Sequence, residues 1–577
     1  MRDSDRPKES KVEGFKKASD HLRGTIAESL DMDTTHFDEA DIQLLKFHGS
    51  YQQDDRDTRR ELKAAGKEKA YSFMIRAAIP GGILTADQYL ALDALADDFA
   101  GKALRVTTRQ GIQFHGILKG NLKKHIAAMN ERLVTTLSAC GDVQRNVMAC
   151  PAPLKDPAHQ TIRRLAKEIA KELQPSSRAY HEIWLDGEKH LSTQDEEPFY
   201  GEQYLPRKFK TGITHAGDNS IDVYSYDCGL VAILDGENIV GYNVLVGGGM
   251  GMTHKKADTF ARIASPLGFI EPEHVLETVR TVAAIFRDHG NRADRRHARL
   301  KYLIEAWGMD RFRDEFNSRT TFELSDWKLV NVPEYNDYIG KNPQDDGKFF
   351  YGVFVENGRI RDSDGAKLKT AIAEIVRKHH SGVVLTANQN VLLTDLDESA
   401  IESIEATLRE HNVPFTDNLS NARRLSMACP ALPTCGLAIT EAERVMPGFI
   451  DRIEAELARL DLQNEPITIR MTGCPNGCAR PYTADIAFVG RSADAYHIFV
   501  GGDRSGTRLA DLFAADIPSD DVVEVLRPLL TSWSKYRKTG QGFGDFYQQQ
   551  VGRTSPRQTV TGAEDPTREI VQLEVKL

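Results

Sequence analysis

Four of the seven cysteines in this 577-residue chain fall in two short loops, Cys429-Pro-Ala-Leu-Pro-Thr-Cys435 and Cys474-Pro-Asn-Gly-Cys478. Four thiolates brought together suit a soft metal centre, either tetrahedral zinc or an iron–sulfur cluster. Zinc sites usually open with two to four residues between cysteines, so the five-residue gap argues against zinc. Pro430 and Pro475 each follow a cysteine, and Gly473 and Gly477 flank the second loop. Proline disfavours helix at the residue before it, and glycine lets backbone N–H groups turn towards sulfur. Inert buried thiols would instead be scattered over apolar faces. The spacing favours a cluster.

A second set of residue types is cationic: Arg76, Arg109, Arg145, Arg207, Lys208 and Lys210. Singly, each reads as a solvated surface charge. Arg76 differs, because it sits inside the apolar run Phe73-Met-Ile-Arg-Ala-Ala-Ile79, where a buried cation needs an anionic partner. Gly247-Gly-Gly-Met-Gly251 follows a strand pattern, but the G-x-G-x-x-G spacing of a dinucleotide loop is absent. Close backbone packing is the better reading. His48, His115 and His297 could be axial ligands or proton donors, and each alone is more often a satisfied polar residue.

The elements that must position these residues repeat. Phe73–Ile79 reads as a strand, Pro80-Gly-Gly82 as a turn, Ala86–Phe99 as an amphipathic helix, and Ala103–Thr107 and Ile112–Leu118 as strands. The same order returns as Phe349–Val355, Asn357-Gly358, Ala366–His379, Val383–Thr386 and Val391–Thr394. Val106-Thr-Thr-Arg-Gln110 matches Leu385-Thr-Ala-Asn-Gln389, and Arg145-Asn-Val-Met-Ala-Cys150 matches Arg424-Leu-Ser-Met-Ala-Cys429. Both matches have the same offset of 279 (389 less 110, and 429 less 150). Two separate matches at one offset indicate an internal duplication. Looser matches pair Lys210-Thr-Gly212 with Met471-Thr-Gly473, and Val244–Gly249 with Ile498–Gly502. On that alignment Arg207–Lys210 stands where the other copy has its second cysteine loop. One half supplies thiolates and the other cations, across a pseudo-twofold axis.

Length implies three or four domains. Net charge is −10 and 27% of residues are charged, which gives no support to nucleic-acid binding. No apolar run approaches the ~20 residues of a membrane span, and the first residues lack the apolar core of a signal peptide. The expectation is a cytoplasmic enzyme without disulfides.

Taken together, Cys429-x5-Cys435 with Thr472-Gly-Cys-Pro-Asn-Gly-Cys478, Thr108-Arg-Gln-x-x-Gln-Phe-His115 and Tyr204-Leu-Pro-Arg-Lys-Phe-Lys210 resemble the sirohaem- and [4Fe–4S]-containing sulfite/nitrite reductases. Leu22-Arg-Gly-Thr-Ile-Ala27 and Phe47-His-Gly-Ser-Tyr-Gln-Gln-Asp-Asp-Arg-Asp57 look like the hemoprotein (beta) component of the NADPH-dependent sulfite reductases. The resemblance runs from about residue 21 to about residue 550. It implies an α+β fold with a pseudo-twofold pair of ferredoxin-like repeats (66–137 and 336–416). Two related α/β domains flank them, a sirohaem- and anion-binding one (138–335) and a cluster-binding one (417–577). Cys429, Cys435, Cys474 and Cys478 would hold the cubane, with Cys478 also bridging to the sirohaem iron. Arg76, Arg145, Lys208 and Lys210 would bind sulfite and supply protons. Arg109, Gln113, His115, Arg207, Arg299 and Asn476 would hold the sirohaem. Thr108 stands where the pattern has asparagine, and Arg299 where it has lysine.

The implied activity is six-electron reduction of sulfite to sulfide, in sulfate assimilation and cysteine biosynthesis. A sirohaem nitrite reductase, a non-catalytic iron–sulfur carrier and a structural zinc protein are the competing readings. No flavin or NADPH domain is visible in the sequence, so electrons would come from a separate protein, which the resemblance implies is a flavoprotein reductase. Residues 1–65 read as an extension that wraps the core or contacts a partner, with positions 1–60 as the docking segment. Deleting these should then spare turnover with a dye donor.

Overall fold

A computed structural model describes residues 8–186, 197–330, 335–550 and 559–561. The first repeat builds a five-stranded sheet from β1 (Ser50–Asp54), β2 (Tyr71–Arg76), β4 (Leu104–Val106) and β5 (Ile112–Ile117), and the second from β12 (Gly340–Pro343), β13 (Phe349–Val353), β15 (Gly382–Leu385) and β16 (Val391–Leu396). Each sheet takes its fifth strand from the other repeat. β3 (Ile83–Leu84) pairs antiparallel with β15, and β14 (Arg359–Ile360) pairs antiparallel with β4. The α+β duplication expected from sequence is present. The first expected helix forms over Ala86–Phe99, started by a reciprocal Thr85–Gln88 capping box. Its equivalent, Leu368–His379, begins two residues later than its pattern suggested, because Ser363 and Ala366 close a turn first.

Gly82 and Gly358 mark the exchange. Both have positive φ, and a Cβ on Gly82 would meet Leu385 O at 2.4 Å, while one on Gly358 would meet Val106 O at 2.3 Å. Leu385 and Val106 are themselves equivalent at the offset of 279, so the two crossings are one contact seen twice. Gln110 and Gln389, another such pair, fasten it. Gln110 Nε2 donates to Ala149 O at 2.9 Å and Leu385 O at 3.1 Å. Gln389 Nε2 donates to Asn357 O at 3.1 Å and Val106 O at 3.4 Å.

The flanking domains match strand for strand. In the first, β6 (Met148–Ala149), β7 (Thr211–His215) and β8 (Cys228–Asp235) are parallel, and β9 (Asn238–Val246) and β11 (Ser265–Ile270) continue antiparallel. In the second, β17 (Ser426–Ala428), β18 (Ile469–Thr472) and β19 (Ile486–Ser492) are parallel, followed by antiparallel β20 (Ala495–Val500) and β21 (Asp511–Pro518). A separate ribbon pairs β10 (Phe260–Arg262) with β22 (Thr559–Thr561).

Register corrects one looser match. Ala149 pairs with Ile213, and Ala428 pairs with Met471, so β7 and β18 correspond at an offset of 258 (471 less 213). The pairings Ile213–Leu230 and Met471–Phe488 agree with this offset. The match of Lys210-Thr-Gly212 with Met471-Thr-Gly473 is therefore out of register. Arg207–Lys210 precedes β7, and the segment equivalent to the Cys474–Cys478 loop is Ala216–Ser220.

The N-terminal segment is part of the core. Leu22, Ile26, Phe37, Leu44 and Phe47 are buried in the apolar cluster that runs through both repeats and the first α/β domain, and β1 extends the sheet of the first repeat. Removing positions 1–60 would take out a strand and these side chains, so dye-driven turnover would not survive the deletion. The cluster-side domain has a separate apolar core around Met446, Phe449, Phe488 and Trp533.

Candidate active site

Cys429 follows β17 and Cys474 follows β18, so both loops leave the carboxyl ends of adjacent parallel strands. Cys429 N donates to Met471 O at 3.1 Å, and Gly473 N approaches Cys429 Sγ at 3.4 Å. Asn476 Nδ2 lies 3.5 Å from Cys474 Sγ. Arg56 reaches across from the N-terminal segment and donates to Cys435 O at 3.1 Å. Cys429 and Cys474 are buried, Cys435 is half-buried and Cys478 is exposed.

Burial, then the neighbouring Cys478, pushes the Cys474 thiol up to about 12, and the same two causes raise Cys435. Thiolates this close in a poorly solvated place need a metal charge to ionise together. Among the described residues, no three of the four sulfurs lie within 4.8 Å of one another. A single tetrahedral zinc, with sulfurs about 3.8 Å apart, needs closer ligands. A wider cubane fits the donor set.

The exposed thiol opens on a pocket. Cys478, Asn476 and Gly477 share its lining with Arg109, Lys208, Lys210 and Arg299. Thr108 Oγ1 donates to Cys478 O at 2.9 Å, so threonine still fastens the loop where the pattern has asparagine. Arg109 lies 4.6 Å over the Tyr226 ring, and burial pushes it down to about 10. Burial, then Arg207 and Arg299, pushes Lys208 down to about 7, and burial, then Arg109 and Lys208, holds Lys210 well below the usual lysine range.

Arg145 and Arg76 form the next group. Arg145 donates to Ala139 O at 3.0 and 2.8 Å, and Arg76 Nη1 reaches the same carbonyl at 3.5 Å and Cys140 Sγ at 3.1 Å. Gln113, its amide oxygen turned to the guanidinium, accepts from Arg76 at 3.2 and 2.5 Å. Arg76 is half-buried at the end of β2, and these partners, none of them a carboxylate, stand where one was expected for a buried cation. Among the described residues, the nearby ion pairs go to Arg207 (Asp142, 3.7 Å) and Arg299 (Asp227, 2.8 Å). Among those same residues, none forms at Arg76, Arg109, Arg145, Lys208 or Lys210.

Other expected residues are placed differently. Arg299 is 8% exposed and grips Asp227 with Nε and Nη2, so its charge is largely neutralised. His115 lies beside Gln53 (3.3 Å), and burial followed by Arg359 and Arg105 holds it neutral. His48 accepts from the Trp184 indole and contacts Leu22 O, a structural role. His297 pairs with Asp294 at 2.9 Å. Gly247–Gly251 packs against the cysteine loop, with Met252 N donating to Pro475 O at 2.9 Å and Lys301 Nζ donating to the Gly249 and Gly251 carbonyls. Lys301, Asp227, Arg480 and Asp222 were missed. Arg480 donates to Thr108 O at 2.7 Å and forms a buried ion pair with Asp222. Each is an ordinary residue type whose partner is distant in sequence.

The nitrite and sulphite reductase 4Fe–4S domain matches residues 165–324 and 420–543, and the nitrite/sulfite reductase ferredoxin-like half domain matches 65–132 and 342–411. The chain belongs to the nitrite and sulphite reductase family. Within it, the chain is 45% identical to the sulfite reductase [NADPH] hemoprotein beta-component of Staphylococcus carnosus, covering 93% of this chain and 94% of that protein. It is also 45% identical to the sulfite reductase [ferredoxin] of Synechococcus elongatus, covering 93% and 89%. The solved NirA protein of Mycobacterium tuberculosis shares the fold, with TM-score 0.70 and 23% identity over 92% of this chain and 96% of that one.

Proposed function

We propose that the protein reduces sulfite to sulfide in six one-electron steps, at sirohaem coupled to a [4Fe–4S] cluster. The carrying observation is the group of cations without carboxylate partners among the described residues, beside an exposed member of a four-cysteine set. A soluble carrier of electrons would have no use for such a group, since buried cations cost free energy unless an anion joins them.

Cys429, Cys435, Cys474 and Cys478 would hold the cluster, with the exposed Cys478 on the side where the sirohaem would lie. Arg109 and Asn476 would hold the sirohaem, with Gln113 and Arg207 orienting their neighbours. When bound, the pair would supply electrons one at a time beside the substrate. Arg76, Arg145, Lys208 and Lys210 bind the oxyanion through charge-assisted hydrogen bonds and exclude bulk water from it. Lys208, with its lowered ammonium pKa, delivers protons to departing oxygen. Arg145 holds its charge throughout. Burial opposes that charge, but Cys140 and Tyr51 outweigh burial and raise its pKa.

Electrons come from a flavoprotein reductase that oxidises NADPH, in the cytoplasm. The equal identity to a ferredoxin-named relative supports ferredoxin as a second donor reading. No helix among the described residues is long and apolar enough to cross a membrane. The test is sulfide production from sulfite by purified holoprotein with a reduced dye, beside nitrite at equal concentration. Isobacteriochlorin bands with a higher kcat/KM for sulfite support the reading. A higher kcat/KM for nitrite overturns it in favour of nitrite reduction. Adding the flavoprotein with NADPH, or reduced ferredoxin, then identifies the donor.

A further inference from the structure

The strand register gives the cysteine centre a counterpart in the other half. Cys150 stands at the place of Cys429, and Ala216–Ser220 at the place of Cys474–Cys478. Cys150 N donates to Ile213 O at 3.1 Å, as Cys429 N does to Met471 O. At this counterpart, Cys150 Sγ and one ring nitrogen each of His159 and His215 all lie within 4.8 Å of one another. Cys150 follows β6, His215 ends β7, and His159 sits in the first turn of helix Pro157–Glu172.

Both imidazoles are oriented as metal ligands are. His159 Nδ1 meets Asp156 Oδ2 at 2.6 Å, and His215 Nδ1 meets the Ala216 carbonyl at 2.6 Å. A metal-bound histidine almost always gives its second ring N–H to a carboxylate or carbonyl, which leaves Nε2 for the ion. His215 Nε2 is buried and has no hydrogen-bond partner among the described residues. The Asp218 carboxylate, 1% exposed, is held by neutral donors, namely the Cys150 thiol at 2.8 Å, the Tyr338 hydroxyl and Ser220 N at 2.7 Å. A buried carboxylate among neutral donors lacks a cation.

We propose that Cys150 Sγ, His159 Nε2 and His215 Nε2 bind one zinc ion, with Asp218 beside the thiolate balancing the remaining charge. Binding forms one Zn–S and two Zn–N bonds and releases the thiol proton to solvent. One thiolate with two imidazoles is a set zinc accepts, and the ion fastens the start of helix Pro157–Glu172 to the ends of β6 and β7. This site is separate from the iron centre and does not depend on the proposed reaction.

Holoprotein is incubated with one equivalent of zinc sulfate, gel-filtered, and examined by elemental analysis and zinc-edge X-ray absorption, where iron does not interfere. The expected result is about one zinc per chain with one sulfur at about 2.3 Å and two nitrogens at about 2.0 Å. Cys150→Ser with His215→Gln should lose the zinc while iron content stays unchanged. Absence of retained zinc in the parent protein, or a zinc shell without sulfur, overturns the proposal. So does equal retention by the double variant. If the variant loses iron as well, the parent absorption spectrum alone decides.

Discussion

Lys208 sits among Arg207, Arg299 and Arg145, and burial with these neighbours pushes its ammonium down to about 7. Methionine at this position keeps the stem and removes the charge. Lys208→Met should therefore lower kcat for sulfite about 10²-fold, the scale seen when one donor to a developing charge is removed. Iron content and the resting spectrum should not change. Measured turnover within twofold of the parent would remove Lys208 from the chemistry. At this scale the cysteine spacing and the cation set were legible because their residue types are rare together in short loops. Asp227 and Asp222 were not legible, since an aspartate declares its role only through the arginine it meets, here 72 residues away for Asp227 and Arg299.

At the scale of elements, Glu443 joins three parts of the chain. It accepts from Arg105 Nε at 2.8 Å and Arg359 Nε at 2.6 Å, which are cross-strand neighbours on β4 and β14, while its own N–H donates to Cys429 O at 3.1 Å. Glu443→Gln leaves two arginines facing a neutral group and should cost about 3 kcal/mol, read as a lower urea midpoint. A second network binds helix Lys11–Lys17 to the first α/β domain through Asp142, with Arg295 at 2.8 Å and Lys16 at 3.6 Å. Burial pushes Asp142 up, but Arg295, Lys16 and Arg207 outweigh it and hold the carboxyl well below its usual range. A depressed pKa in the folded state stabilises above the unfolded value and loses that contribution as pH falls. The gap in urea midpoint between the parent and Asp142→Asn should be full at pH 6 and shrink below about pH 4; a constant gap would contradict the assignment. The repeat was legible at one offset of 279 because β6 and β17 keep the same distance from their repeats. The change to 258 at β7 and β18 was not, because so short a match cannot locate a length difference in the intervening helices, whereas strand pairing does.

For the whole molecule, the N-terminal residues are structural before they can be anything else. A chain beginning at residue 61 should accumulate without sirohaem bands and without dye-driven turnover, whereas a chain beginning at residue 8 should keep both. Retained dye activity in the shorter chain would mean that β1 and the side chains around Phe47 are dispensable. The sequence pattern of residues 1–65 concealed this, because its apolar residues are spread among charges and bury only when the rest of the fold surrounds them.

The exchange of β3 and β14 also sets a timetable for synthesis. When residue 106 leaves the ribosome, β4 has a bare edge, and its partner at Arg359–Ile360 is roughly 250 residues away, or about 13–50 s at ordinary elongation rates. During that interval Ile83–Leu84 has no sheet to join either. An unpaired edge held open for so long invites association between nascent chains. The duplication that builds one site thus makes the newborn chain dependent on protection until its second half arrives.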